Sequence, residues 1–317
     1  MNRDLFERRY GASWTELETM LLALEKRRRP PGAERFPELY RRLCHHLALA
    51  RARRYGPDLE QRLHGLALRG HQQLYRGGTA SPWALAWWIR AGFPRRVRRD
   101  GRLVLACLAL LALPTLGMSV GVAAAPDLVY AVLGAEQVSG FETMYDPDLR
   151  EPRGAGTSVM MFGYYLYNNV GIAFRTFASG IFVGVGSVFI LVYNGLVLGA
   201  VGGHLHNAGF GATFYPFVIG HSSFELTAIV LAGATGVRLG LAVLAPGRKT
   251  RGRSLRDAAR ASVPVLYGLT ALLVVAAFVE AFWSASEIAP QVRYAAGAAG
   301  WAAVLGYLAL AGRGDGP

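Results

Sequence analysis

Charge is in short supply in this 317-residue chain. Asp, Glu, Lys and Arg make up only 17% of it, 52% is hydrophobic, and the mean hydropathy is positive, a balance outside that of ordinary soluble domains. Two cysteines, Cys44 in the polar N-terminal part and Cys107 in the first apolar run, are too few for a disulfide framework, and a reducing cytoplasmic face suits Cys44. The first hundred residues contain no uninterrupted apolar run, so no secretory signal segment is expected there and the N-terminus is expected to stay in the cytoplasm. No Gly-x-Ser-x-Gly, phosphate-loop or His-Glu-x-x-His sequence occurs. An enzyme is therefore not expected, nor is a cofactor. Positive charge is the exception to the scarcity. The net charge is +13, and residues 1 to 102 hold 22 of the 34 basic residues against 10 of the 21 acidic ones. This basic segment lacks the interleaved aromatics of a nucleic-acid surface and abuts an apolar run. The expected contact is membrane lipid, with no nucleic acid.

Helical periodicity dominates, so the chain reads as an all-α polytopic membrane protein with an N-terminal cytoplasmic helical bundle over 1–80. Ser13-Trp14-Thr15-Glu16 has capping-box spacing and opens an amphipathic stretch with Trp14, Leu17, Met20, Leu21 and Leu24 on one face. A second stripe runs from Phe36 through Leu39, Leu43 and Leu47 to Ala50, ending at Gly56-Pro57. A third joins Leu59, Leu63, Leu66 and Leu74 and stops at Gly77-Gly78. Three such stripes can bury one another. Ser81-Pro82 restarts a helix, with Ser81 as cap. Trp83, Trp87, Trp88 and Phe93 precede Arg95-Arg96-Val97-Arg98-Arg99, which predicts an interfacial elbow helix over 81–102.

The transmembrane domain is expected over 103–311. Leu103 to about Ala123 is long enough to cross a core of about 30 Å. Residues 124–158 carry six acids and two bases and belong outside. Residues 245–260 carry six bases and one acid and belong inside. Apolar stretches at 159–176, 178–201, 214–244, 261–282 and 294–311 complete about six segments, with both termini cytoplasmic. The stretch 159–176 is the polar one, through Tyr164, Tyr165, Tyr167, Asn168 and Asn169. It could instead be interfacial, with 214–244 forming a broken hairpin.

Polar and small residues inside these stretches are the candidates for function. Gly180, Gly184, Gly195 and Gly199 suit close helix packing, of the kind a homo-oligomer also uses. Asn168, Asn169 and Asn194 must find partners in hydrocarbon, as glue between helices or as substrate contacts. Glu225 is expensive in an apolar stretch unless paired, protonated or wetted, and His221 stands four residues earlier on the same helical face. The pair reads as structural, as part of a proton or ion pathway, or as metal ligands with His204 and His206. Glu280 reads as a snorkelled or interfacial acid near a span end.

The ordered set Phe93-Pro94-x-x-Val97-Arg98, Asn168-Asn169 with Ala173-Phe174, Asn194-Gly195 with Gly199, and His221 with Glu225-Leu226-x-Ala228 resembles the stage II sporulation protein M family. The likeness covers roughly residues 85 to 310. The N-terminal bundle is similar to that family's longer branch. Members commonly show Pro-His-Gly where this chain has Gly220-His221-Ser222, so a helix break there would rest on Gly220. The resemblance implies a non-enzymatic inner-membrane platform that recruits peptidoglycan hydrolases. For the longer relatives it also implies association with MoxR-type ATPases and RDD-family membrane proteins. A transporter or channel with a polar path at Glu225 and His221 is the alternative class.

Overall fold

The computed structural model describes residues 1–26, 30–74, 82–149, 155–286 and 288–314. The Gly77-Gly78 stop and the Ser81 cap lie outside them. Every regular element among the described residues is helical. The chain divides into two compact units, Met1–Ser81 and Pro82–Pro317.

In the first unit, α1 (Arg3–Glu25), α2 (Phe36–Ala52) and α3 (Pro57–Leu74) bury the three stripes in one core of Phe6, Trp14, Leu17, Leu21, Leu43, Leu63 and their neighbours. The start of α1 differs from the capping-box reading. Asn2 caps the helix by accepting from the Leu5 N–H, and Ser13 lies inside it, donating to the Tyr10 carbonyl. An earlier cap wins because it lets Phe6 and Tyr10 join the apolar face. His46 is buried, and its Nδ1 accepts from Trp14 Nε1 at 3.1 Å. Burial, with smaller contributions from His45 and Arg42, holds its pKa below the ordinary value. The unfolded chain therefore binds a proton at a pH where the folded bundle does not, and stability is lost as pH falls below about 6.5. A fragment of residues 1–81 should show cooperative thermal loss of helicity by circular dichroism. Its midpoint should be steady above pH 7 and fall below pH 6, with a shallower fall in His46→Gln.

The second unit opens with α4 (Pro82–Trp87), a π-helical turn and α5 (Phe93–Arg99). Trp83 and Trp87 are 84% and 54% exposed, while Phe93 is buried against Gly268 and stacks on Tyr307. Arg98 donates to the carbonyls of Leu308 and Ala311, at 2.6 and 2.7 Å, and Arg95 to that of Gly312. The elbow's arginines thus satisfy the bare carbonyls where the last helix ends. Arg238 pairs with Asp100 in the same unit.

Six long helices follow: α6 (Gly101–Ala124), α8 (Ala155–Ala178), α9 (Val185–Asn207), α10 (Gly211–Leu244), α11 (Arg251–Phe278) and α12 (Pro290–Leu310). Among the described residues, four stretches are long and apolar enough to cross a membrane: Gly101–Ala124, Val185–Asn207, Gly211–Leu244 and Arg251–Trp283. The expected six segments are not established, since α8 and α12 have the length but not the apolarity. Tyrosines and asparagines dilute α8, and Gly, Ala and Tyr dilute α12. α10 runs unbroken through Gly220-His221, so neither a break there nor a hairpin within 214–244 forms. The acidic connection also folds. A 3-10 turn at Pro126–Ala131 and α7 (Ala135–Tyr145) bury Val129, Leu133 and Val138 against α6, α9 and α10.

Candidate functional site

Two helices build the polar centre of the second unit. On α10, the four-residue spacing stacks His221 over Glu225, with Nε2 3.7 Å from Oε2. On α11, Val265, Leu269, Leu273 and Ala276 form a buried stripe. One turn further along that stripe stands Glu280, in the π-helical segment Val279–Trp283. One ligand-capable atom from each of His221, Glu225 and Glu280 lies within 4.8 Å of the others. His221 is 5% and Glu280 8% exposed, and the Glu225 side chain is 20% exposed.

The neighbouring contacts hold this geometry. A Cβ on Gly220 would meet the Trp283 ring at 2.7 Å, so the glycine admits the end of α11 against α10. Ser222 accepts from Trp301 Nε1 of α12 at 3.2 Å. On α8, Tyr165 shares an apolar cluster with Phe217, and Ala173 shares another with Ala228. Asn169, between those two levels and 4% exposed, therefore stands at the height of His221 and Glu225. Its Oδ1 accepts from Asn168 at 2.9 Å.

The sequence model of the stage II sporulation protein M family matches residues 104–285, more than half of the chain. The chain belongs to that family. A second model, a domain of unknown function (DUF8413), matches residues 4–76. No curated protein and no solved structure matches. The family match contains His221, Glu225, Glu280 and all three asparagines. The Phe93–Arg98 elbow lies ahead of it.

Within this stage II sporulation protein M domain the remaining sequence candidates fall into separate places. Asn194 donates to the Ile190 carbonyl of its own helix at 2.7 Å rather than to another helix. His204 is engaged by Glu142 of α7 at 2.8 Å, and His206 is exposed beside Tyr215. Neither joins the His221 group, so the four-ligand set of His204, His206, His221 and Glu225 is not assembled. The glycines lie at backbone contacts. A Cβ on Gly195 or Gly199 would overlap the Leu111 or Thr115 carbonyl of α6, and one on Gly180 would overlap the Gly236 carbonyl of α10. Gly184 adopts φ +85° in the turn between α8 and α9, a conformation glycine takes without strain.

Glu280 is what the sequence reading missed. An acid read as interfacial is turned inward, and the signal was present: it continues the four-residue stripe of Leu269, Leu273 and Ala276. A carboxylate on a packing stripe of an apolar helix warrants the same reading as Glu225.

Proposed function

We propose that this protein is a non-enzymatic scaffold of the bacterial inner membrane that docks or localises partner proteins in envelope or peptidoglycan remodelling. One observation carries the reading: the ionisable cluster is enclosed, not strung along a path. Tyr165, Phe217, Ala277 and Ala281 form one buried cluster and Ala173, Ala228, Leu231 and Leu273 belong to another, and His221 and Glu225 fall between the two along α10. A proton or ion route would have to pass one of these apolar layers. The cavity of about 290 Å³ beside Leu226, walled chiefly by Leu108, Leu111, Val230 and Leu305, is likewise apolar. The transporter or channel reading draws its support from Glu280, which adds a third ionisable group to His221 and Glu225.

The partners that fit the family are MoxR-type ATPases and RDD-family membrane proteins, for the first unit, and peptidoglycan hydrolases for the acidic connection between α6 and α8. Photo-crosslinkers placed at exposed Leu68 and Tyr130 should each capture a reproducible, site-specific adduct in native membranes. Adducts to lipid alone at both positions would count against docking.

Both termini and residues 245–260 lie in the cytoplasm in this proposal, with residues 124–158 on the opposite side. The charge asymmetry of the two connections supports it. In a background without Cys44 and Cys107, a membrane-impermeant maleimide applied from outside should label Asp146→Cys and spare Arg253→Cys. The reverse pattern would invert the topology.

A further inference from the structure

We propose that His221, Glu225 and Glu280 form a binding site for one divalent first-row metal ion, zinc foremost, which clamps α10 to the π-helical end of α11. The ligand set is one imidazole nitrogen and two carboxylates, a borderline set of the kind that takes zinc. Three protein ligands leave room for a fourth, such as water.

Geometry favours an ion over a direct contact. The 3.7 Å between His221 Nε2 and Glu225 Oε2 is too long for a hydrogen bond. It is close to the roughly 3.4 Å that separates two ligands on a tetrahedral ion with bonds of about 2.1 Å. The three candidate ligand atoms lie within 4.8 Å of one another, so small side-chain rotations bring them onto such an ion. His221 is 95% buried, and its Nε2 faces Glu225. Two carboxylates this close repel unless a cation or a proton lies between them. The same unit also buries a cation, Arg293 of α12, which donates to the Ser286 carbonyl.

Two further observations point the same way. Glu280 sits in a π-helical segment, a distortion that recurs at functional sites. The Glu225 side chain keeps 20% of its surface exposed, so a small ion can reach the group without crossing the apolar clusters that border it along α10. The ligands come from two helices, so the ion would cross-link them as a structural metal does.

Full-length protein in detergent, stripped with a chelator and dialysed, should bind one equivalent of zinc with saturation, measured by elemental analysis. Added zinc should raise its thermal midpoint, and renewed chelation should reverse the rise. Cobalt(II) in place of zinc should give visible d–d absorption bands from a nitrogen and oxygen ligand set. Both readouts need only wild-type protein, so a variant that fails to fold does not blunt them. Glu280→Gln and His221→Ala should each weaken binding at least tenfold, and Glu136→Gln, on the exposed face of α7, should leave it unchanged. No saturable binding to wild type overturns the proposal, and so does equal binding by wild type and a folded Glu280→Gln. The carboxylates would then share a proton or rely on Arg293.

Discussion

Gly199→Val should lower the thermal midpoint of the detergent-solubilised protein by about 10 °C. The Gly199 Cα faces the backbone of α6. A Cβ there would overlap the Thr115 carbonyl and would meet Met118 Cβ at 2.9 Å and the Ser119 nitrogen at 3.1 Å. Backbone cannot rotate away as a flexible side chain can. The helices must separate, and Ser119 Oγ then loses the Gly199 carbonyl it reaches at 3.1 Å. Overpacking of this kind costs about 3 kcal/mol, and each kcal/mol moves the midpoint of a unit this size by about 2–4 °C. Gly195 and Gly203 meet α6 in the same way, so Gly195→Val should behave alike. Gly117→Ala on α6, where a Cβ meets nothing within 4 Å, should leave the midpoint unchanged or slightly raised. Equal behaviour of Gly117→Ala and Gly199→Val would mean that α6 and α9 do not pack as described.

Glu225→Leu should be about as damaging, for an electrostatic reason. It leaves the buried His221 facing hydrocarbon where a carboxyl group stood, and a buried polar group deprived of its polar neighbour costs about 3 kcal/mol. A midpoint fall of about 10 °C is expected. Glu225→Gln keeps the shape and one acceptor oxygen, so its fall should be roughly half as large or less. Thermal melts followed by size-exclusion chromatography distinguish the two. A Glu225→Leu protein as stable as wild type would remove any structural role for the cluster.

The sequence carried the fold where periodicity was dense. The stripes of α2 and α3 and the His221–Glu225 pair follow from three- and four-residue spacing, and the first span from an unbroken apolar run. It failed where apolar residues were sparse or where two signals competed. Ser13-Trp14-Thr15-Glu16 looked like a helix start, yet Asn2 offers a cap that brings Phe6 into the core. The connection after α6 looked like a charged loop because Val129, Leu133 and Val138 are too widely spaced to announce a helix, although they bury against three others. Glu280 was legible in principle. Its position at a span end drew attention away from its place on the α11 stripe, and the π-helical turn that carries it leaves no mark in composition. Partnership between α10 and α11 is a tertiary fact. Spacing along one helix cannot supply it.

Ion flux tests most directly the claim that the polar cluster is enclosed and structural. Wild-type protein and Glu225→Gln would be reconstituted into liposomes, and proton and cation flux measured under an imposed pH gradient or membrane potential. The account predicts flux through both that is indistinguishable from protein-free liposomes, because buried apolar clusters border His221 and Glu225 in both directions along α10. Flux that is present with wild type and absent with an equally stable Glu225→Gln would contradict it and make the cluster a conduit.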